Sequence, residues 1–215
     1  SDHLMYAVNY LDDGKDPEIL NKASAIWTRE KKDISSEQYE EFYKQIGAGF
    51  NKPLLTLHNK VEGTLSYTNL LFIPDSRPFD LFQMDVKSKI KLYSNRVLIS
   101  DDSEDILPRW LRFVKGVVDT SDVDLNVSRE MLQHNSALNK ISKALKKRVL
   151  NELKKMKDKD TEKYNTFWKE FGIVMKEGIY EDFDLKNEIL EISKFHSMQL
   201  NKDVFLSEYS EKMYP

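Results

Sequence analysis

A change of hydrophobic period partway along the chain narrows the possible folds more than any other feature. Between Leu54 and Ile99 the runs LLTLHNKV, EGTLSYTNLLFIP and KIKLYSNRVLIS are rich in β-branched and aromatic residues and are bounded by Pro53, Gly63 and Pro74. That pattern predicts at least three strands. After Arg129 the apolar residues recur at helical spacing to the end of the chain. Leu132, Leu138, Ile141, Leu145, Val149, Leu153 and Met156 predict one long helix, and Tyr164, Phe167, Trp168, Phe171 and Val174 a second. Phe183, Ile189, Ile192 and Phe195 predict a third, with Gly172 and Gly178 as interruptions.

The remaining segments fill in an α/β layer arrangement. Residues 1–16 end in an Asp-Asp-Gly turn signal and read as a poorly ordered edge. From Pro17, Ile19, Leu20, Ala23, Ile26 and Trp27 predict a helix, and Ser35-Ser36-Glu37-Gln38 a capping box before another carrying Tyr39, Phe42, Tyr43 and Ile46. Gly47-Ala48-Gly49 reads as a helix end and turn rather than a phosphate loop. SRPFDLFQM reads as an ordered excursion packed on the sheet. Ile106, Trp110, Phe113, Val114 and Val117 predict a helix ending near Gly116, and VDLNV a short strand. These readings divide the chain into 17–157, an α/β unit, and 158–215, a helical connector. FLSEYSEKMYP reads as the start of a further helix in a protein that continues.

Composition removes several classes of function. There is no cysteine, so disulfides and thiolate metal sites are excluded, which fits a reducing cytoplasmic compartment. The four histidines have no metal-binding spacing. Lys and Arg number 33 against 36 Asp and Glu, so no global field draws the chain to nucleic acid or membrane. No apolar run approaches the roughly 20 residues of a bilayer span. The lysine-rich stretch from Lys140 to Lys163 supports an alternative reading as a binding module for nucleic acid or an acidic partner. Without stacking aromatics or Gly-rich motifs, a solvated helix face explains it more simply. His58 and Trp110 read as core or edge residues.

The stretch DLNVSREMLQ, residues 124–133, holds the one local contradiction. Ser128 is a good N-cap and Glu130 suits a first turn, yet Arg129 adds a permanent cation where a helix dipole is already positive. A salt bridge to Asp122 or Asp124 would account for it. Local ion pairs being common, that is the simpler account; an anion from outside the chain is the sharper one, with Gln133 one turn on along the same face. No carboxylate pair or Ser/His/Asp order suggests a self-contained active site.

The segments NKASAIWTREKKDISSEQYEEFYKQI, KLYSNRVLISDD, LPRWLRFVKGVVDTSDVDLNVSREMLQ and TFWKEFGIVMKEG resemble the middle domain of bacterial HtpG-type chaperones, in the heat-shock protein 90 family. The resemblance runs from about Ile19 to Met213. It implies an αβα sandwich, and it makes the DLNVSREMLQ stretch a catalytic loop. Arg129 would reach the γ-phosphate of ATP bound in the N-terminal domain, Gln133 would assist, and Asn126 and Ser128 would shape the loop. ATP and Mg2+ would be held mainly by that N-terminal domain. The resemblance further implies client proteins as partners, a smaller α/β subdomain beyond Pro215, and homodimerisation through a C-terminal domain. An isolated middle domain would not hydrolyse ATP, whereas the longer protein would. Phe50 stands where many relatives have tryptophan and Leu98 where they have phenylalanine, so the resemblance places both on a docking or client surface of altered strength.

Overall fold

The computed structural model describes residues 25–213. The expected edge at 1–16 and most of the helix expected from Pro17 lie outside the described residues, apart from a 3-10 turn at Ile26–Thr28. Helix α1 (Ser36–Gln45) begins at the expected capping box. The Ser35 hydroxyl accepts from Gln38 N, and the Gln38 side chain accepts from Ser35 N. Strands β1 (Pro53–Val61) and β2 (Tyr67–Pro74) follow as an antiparallel pair. KIKLYSNRVLIS is not one strand but a hairpin, β3 (Ile90–Ser94) and β4 (Val97–Ser103). Asn95 and Arg96, both at positive φ, form the two-residue turn that matches strand twist.

Strand β5 (Lys115–Thr120) completes a five-stranded sheet in the order β1-β2-β5-β3-β4, with β3 and β5 parallel and the other neighbours antiparallel. This corrects the helix expected from Ile106 to Gly116. Only a 3-10 turn, Arg109–Leu111, forms there before β5. Ile106, Leu107, Trp110, Leu111, Phe113 and Val114 are all buried, so helical spacing among them carried no information about a face. Gly116 is a strand residue at φ +146, and a Cβ on it would meet the Leu70 carbonyl oxygen at 2.1 Å. Its role is to let β5 lie close against β2, not to end a helix. VDLNV is likewise no strand. Residues 121–128 form a loop in which Val123 is buried and Leu125 exposed.

The long helix expected from Leu132 to Met156 is broken at His134. Helix α2 (Arg129–Gln133) is a single turn, and α3 (Ser136–Lys159) starts afresh with the Asn135 side chain accepting from Leu138 N at 3.0 Å. Helix α4 (Thr161–Glu181) runs through both glycines expected to interrupt it. Gly178 serves close packing, since a Cβ there would lie 2.7 Å from the Trp110 ring. After a 3-10 turn at Phe183–Leu185 comes α5 (Lys186–Ile192). Phe195 lies instead in a two-stranded hairpin that periodicity did not reveal, β6 (Lys194–Ser197) with β7 (Lys202–Phe205). Helix α6 (Leu206–Met213) occupies the expected position.

Alternate residues of the central strands belong to two separate cores. Leu70, Phe72 and Val117 pack with Trp27, Phe42 and Tyr43 from the α1 side. Leu71, Ile73 and Val118 pack with Leu145, Phe167, Phe171 and Ile189 from α3, α4 and α5. Strand β2 is accordingly buried along nearly its whole length, as a strand covered on both faces must be. The architecture is the expected αβα sandwich. The excursion SRPFDLFQM is anchored by buried Leu81, but Phe79, Phe82 and Met84 project into solvent rather than onto the sheet.

Candidate functional site

The loop between β5 and α2 is fixed at its root and open at its tip. Val123 is buried in the larger core, and its carbonyl accepts from the Ser94 hydroxyl at 2.6 Å. The Asp122 carboxylate accepts from Ser66 N at 3.0 Å, and Asp122 N donates to the Thr120 hydroxyl at 3.1 Å. Val127 N closes a turn on the Asp124 carbonyl at 3.2 Å. Ser128 caps α2, its hydroxyl accepting from Met131 N at 3.3 Å, while Leu132 drives the helix into the core. Asn126, Arg129 and Gln133 are all exposed. The structure therefore brings Arg129 and Gln133 onto the same helical turn, with Ser128 as cap and Asn126 in the preceding loop.

Arg129 does pair with a carboxylate, but not with Asp122 or Asp124. Its Nη2 donates to Oδ1 of Asp102, near the end of β4. The Asp122 carboxylate accepts instead from the backbone of Ser66. The hydrogen bond from Arg129, assisted by its charge and that of Lys89, holds the Asp102 carboxyl below its ordinary range. The Arg129 side chain is still 71% exposed, so this is a solvated surface pair of the kind that contributes little to folding. A shallow hollow beside the loop is lined by Asp122, Asp124, Glu130, Met131 and His134. Its carboxylates would repel a phosphate.

The other candidates are dispersed. Phe50, just after α1, is 97% exposed, and Leu98 on β4 is 37% exposed. Part of the basic stretch is occupied by intramolecular partners. Lys146 pairs with Asp182, Lys154 with Glu191 and Lys155 with Glu152, while Arg148 donates to Asn59. His58 is buried as expected and held between Tyr39 and the Trp27 carbonyl. Among the described residues, no group of three or more His, Cys, Asp or Glu could hold a metal ion, and no helix is long and apolar enough to cross a membrane.

Two side chains that bond across the fold escaped the sequence reading. Asp102 could have been suspected from the Asp-Asp pair closing LISDD, but nothing local ties it to residue 129. Arg112, between the 3-10 turn and β5, is 2% exposed and forms a two-bond fork to Glu177 on α4 at 2.6 and 3.0 Å. A separation of 65 positions left no local signal.

The family model described as Hsp90 protein matches residues 10–215. The chain is 52% identical over 213 residues to the chaperone protein HtpG of Paramagnetospirillum magneticum, covering 99% of this chain and 34% of the relative. It is 50% identical over 210 residues to HtpG of Rickettsia rickettsii, covering 97% of this chain and 34% of that protein. The chain thus spans about a third of the length of these relatives. A solved middle domain of a heat shock protein from Plasmodium falciparum superposes with a TM-score of 0.77 at 29% identity, covering 88% of this chain and 74% of the other.

Proposed function

The chain belongs to the Hsp90 protein family and corresponds to the middle domain of an HtpG-type chaperone, and from that premise we propose that Arg129 is the group it lends to ATP hydrolysis. In this reading a nucleotide-binding domain on the N-terminal side holds ATP and Mg2+, the metal ion neutralising phosphate charge there. A C-terminal domain makes the protein a homodimer, and folding clients in the cytoplasm are its partners. The supporting observation is the state of Arg129, a guanidinium 71% exposed on the first residue of α2, at the end of a loop whose root is buried. A cation so placed can be delivered to a neighbouring domain without unfolding its own.

The chemistry follows from charge. Negative charge gathers on the equatorial oxygens of a γ-phosphoryl group in transfer, and a guanidinium arriving there stabilises the transition state more than the ground state. Supplying it from a second domain makes hydrolysis conditional on closure. Gln133, one turn away, would orient the reacting groups, and Ser128 and Asn126 would set the loop's shape. The acidic hollow beside the loop leaves this chain alone poorly suited to hold a triphosphate. Phe50 and Leu98, each exposed, would offer separate apolar contacts to the nucleotide domain or to clients. The alternative, a nucleic-acid surface along α3, loses support because several of its cations already have protein partners.

The test is ATP turnover by the full-length protein. Arg129→Ala should lower kcat steeply, finger arginines elsewhere being worth about 10³ or more, with slow closure reducing the observed factor. ATP affinity should barely change, since the arginine arrives after binding. Arg129→Lys should rescue poorly because an ammonium lacks the planar fork, and Gln133→Ala should be milder. Hydrolysis at the unaltered rate in Arg129→Ala would overturn the reading.

A further inference from the structure

Asp102 has no evident structural reason to face the loop, yet the sheet is distorted so that it does. In the β3–β4 ladder Ile90 pairs with Ser103 and Leu92 with Ser100, so Asp101 and Asp102 together oppose the single residue Lys91. That is a β-bulge, which bends a strand and re-aims a side chain. Its effect is to divide two adjacent carboxylates between two cations. Asp101 takes Lys91 at 3.3 Å, and Asp102 takes Arg129. Ser103, the next residue, is buried and back in register opposite Ile90. Glu104 and Asp105 add negative potential around the same guanidinium. Arg129 is thus parked on the sheet edge by a built feature.

We propose that Asp102 is a positioning residue that holds Arg129 off duty, so that the guanidinium must exchange a carboxylate of its own sheet for a phosphate of ATP before hydrolysis can proceed. The inference rests on the function proposed for Arg129. Because both partners are solvent-exposed, the hold is weak and reversible: it biases the loop toward its parked position without locking it. Transfer to a phosphate, with more charge and more acceptor oxygens than one carboxylate, is favourable once closure brings the two together. A docked arginine is thereby kept from adventitious anions while the domains are apart.

The experiment compares steady-state ATP hydrolysis by the full-length protein and its Asp102→Asn, Arg129→Ala and doubly substituted forms. Asparagine keeps the size and an acceptor oxygen but removes the charge. Asp102→Asn should raise kcat roughly two- to five-fold, the range open to an exposed pair, with KM for ATP unchanged. The double variant should match Arg129→Ala alone, because the gain acts only through Arg129; a generally loosened fold would not show that dependence. Added salt should stimulate the unaltered protein more than Asp102→Asn, since the pair it screens is already gone. In this 215-residue chain, the Arg129 Nε–H resonance should shift and sharpen in Asp102→Asn. An unchanged or lower kcat in Asp102→Asn, or an unmoved Arg129 resonance, would overturn the inference while leaving the role of Arg129 standing if Arg129→Ala is defective. Normal turnover in Arg129→Ala would remove both.

Discussion

At the residue scale, the clearest titration belongs to His58. Its Nε2 faces the Trp27 carbonyl at 2.8 Å, which can only accept, so Nε2 carries the proton and Nδ1 accepts from the Tyr39 hydroxyl at 2.7 Å. Burial lowers its pKa below the ordinary imidazole value, the Trp27 carbonyl partly opposing and Lys31 adding to the shift. A folded-state pKa below the unfolded one means the unfolded chain binds the proton more readily. The resulting stability is full above about pH 6.5 and is lost as pH falls through the folded-state value. Urea midpoints of this chain should therefore decline below about pH 6.5, and His58→Gln should flatten that part of the profile while lowering its neutral plateau. Parallel profiles would exclude His58 as the cause. Arg129→Ala, by contrast, should leave the melting temperature within about two degrees, because its one pair is a solvated one. The site was only partly legible for the same reason. Ser128, Arg129 and Gln133 are neighbours along one turn and could be read together, whereas Asp102 comes from another element and is turned toward them by a bulge that leaves no mark in composition.

Elements were legible where a cap, a half-exposed face or a long bounded apolar run marks them, and illegible where a short stretch is buried throughout. Helix α1, with its capping box and half-exposed surface, and strands β1 and β2, with their bounding prolines, stand where the pattern placed them. Strand β5 was mistaken for a helix because its neighbours are buried all round and the preceding Pro108 and Trp110 enter a 3-10 turn. Gly116 decides the matter physically. Its φ of +146 is one that side-chain-bearing residues rarely adopt, and the Leu70 carbonyl occupies the space of a Cβ. Gly116→Ala should cost more than about 3 kcal/mol, combining backbone strain with a collision against backbone that cannot swing aside. Loss of soluble folded chain, or a urea midpoint lowered accordingly, would show it; an unchanged midpoint would mean β2 and β5 can separate freely. The β6–β7 hairpin was missed for another reason, its strands being four residues each and too short to establish a period.

Across the whole molecule, the sheet and the helical layer beneath it are joined by one buried charge as well as by apolar packing. Arg112 sits where the chain passes from the 3-10 turn into β5, and its guanidinium is bonded on every side. Nε donates to the Leu81 carbonyl at 2.7 Å, Nη1 to the Arg109 carbonyl at 3.1 Å, and the fork holds Glu177 of α4. One side chain therefore ties the 75–89 excursion, the approach to β5 and helix α4 into a single unit. Glu177 keeps a side-chain exposure of 31% and can regain water, but Arg112 cannot. Removing the acid should be the harsher change per atom, since Glu177→Gln strands a buried cation, while Arg112→Met takes the donor from the Leu81 carbonyl but leaves the Arg109 carbonyl its bond from the residue 112 amide. Each single substitution should cost about 3 kcal/mol, and the pair Arg112→Met with Glu177→Gln should cost less than the sum by about 1–3 kcal/mol. Amide exchange should localise the damage in Arg112→Met, with Leu81, Gln83 and Val86, whose amides close the turns of the excursion, exchanging much faster while β2 amides keep their protection. Strictly additive losses, or exchange that rises evenly through the sheet, would mean that the layers are held by apolar contact alone and that the fork between Arg112 and Glu177 is incidental.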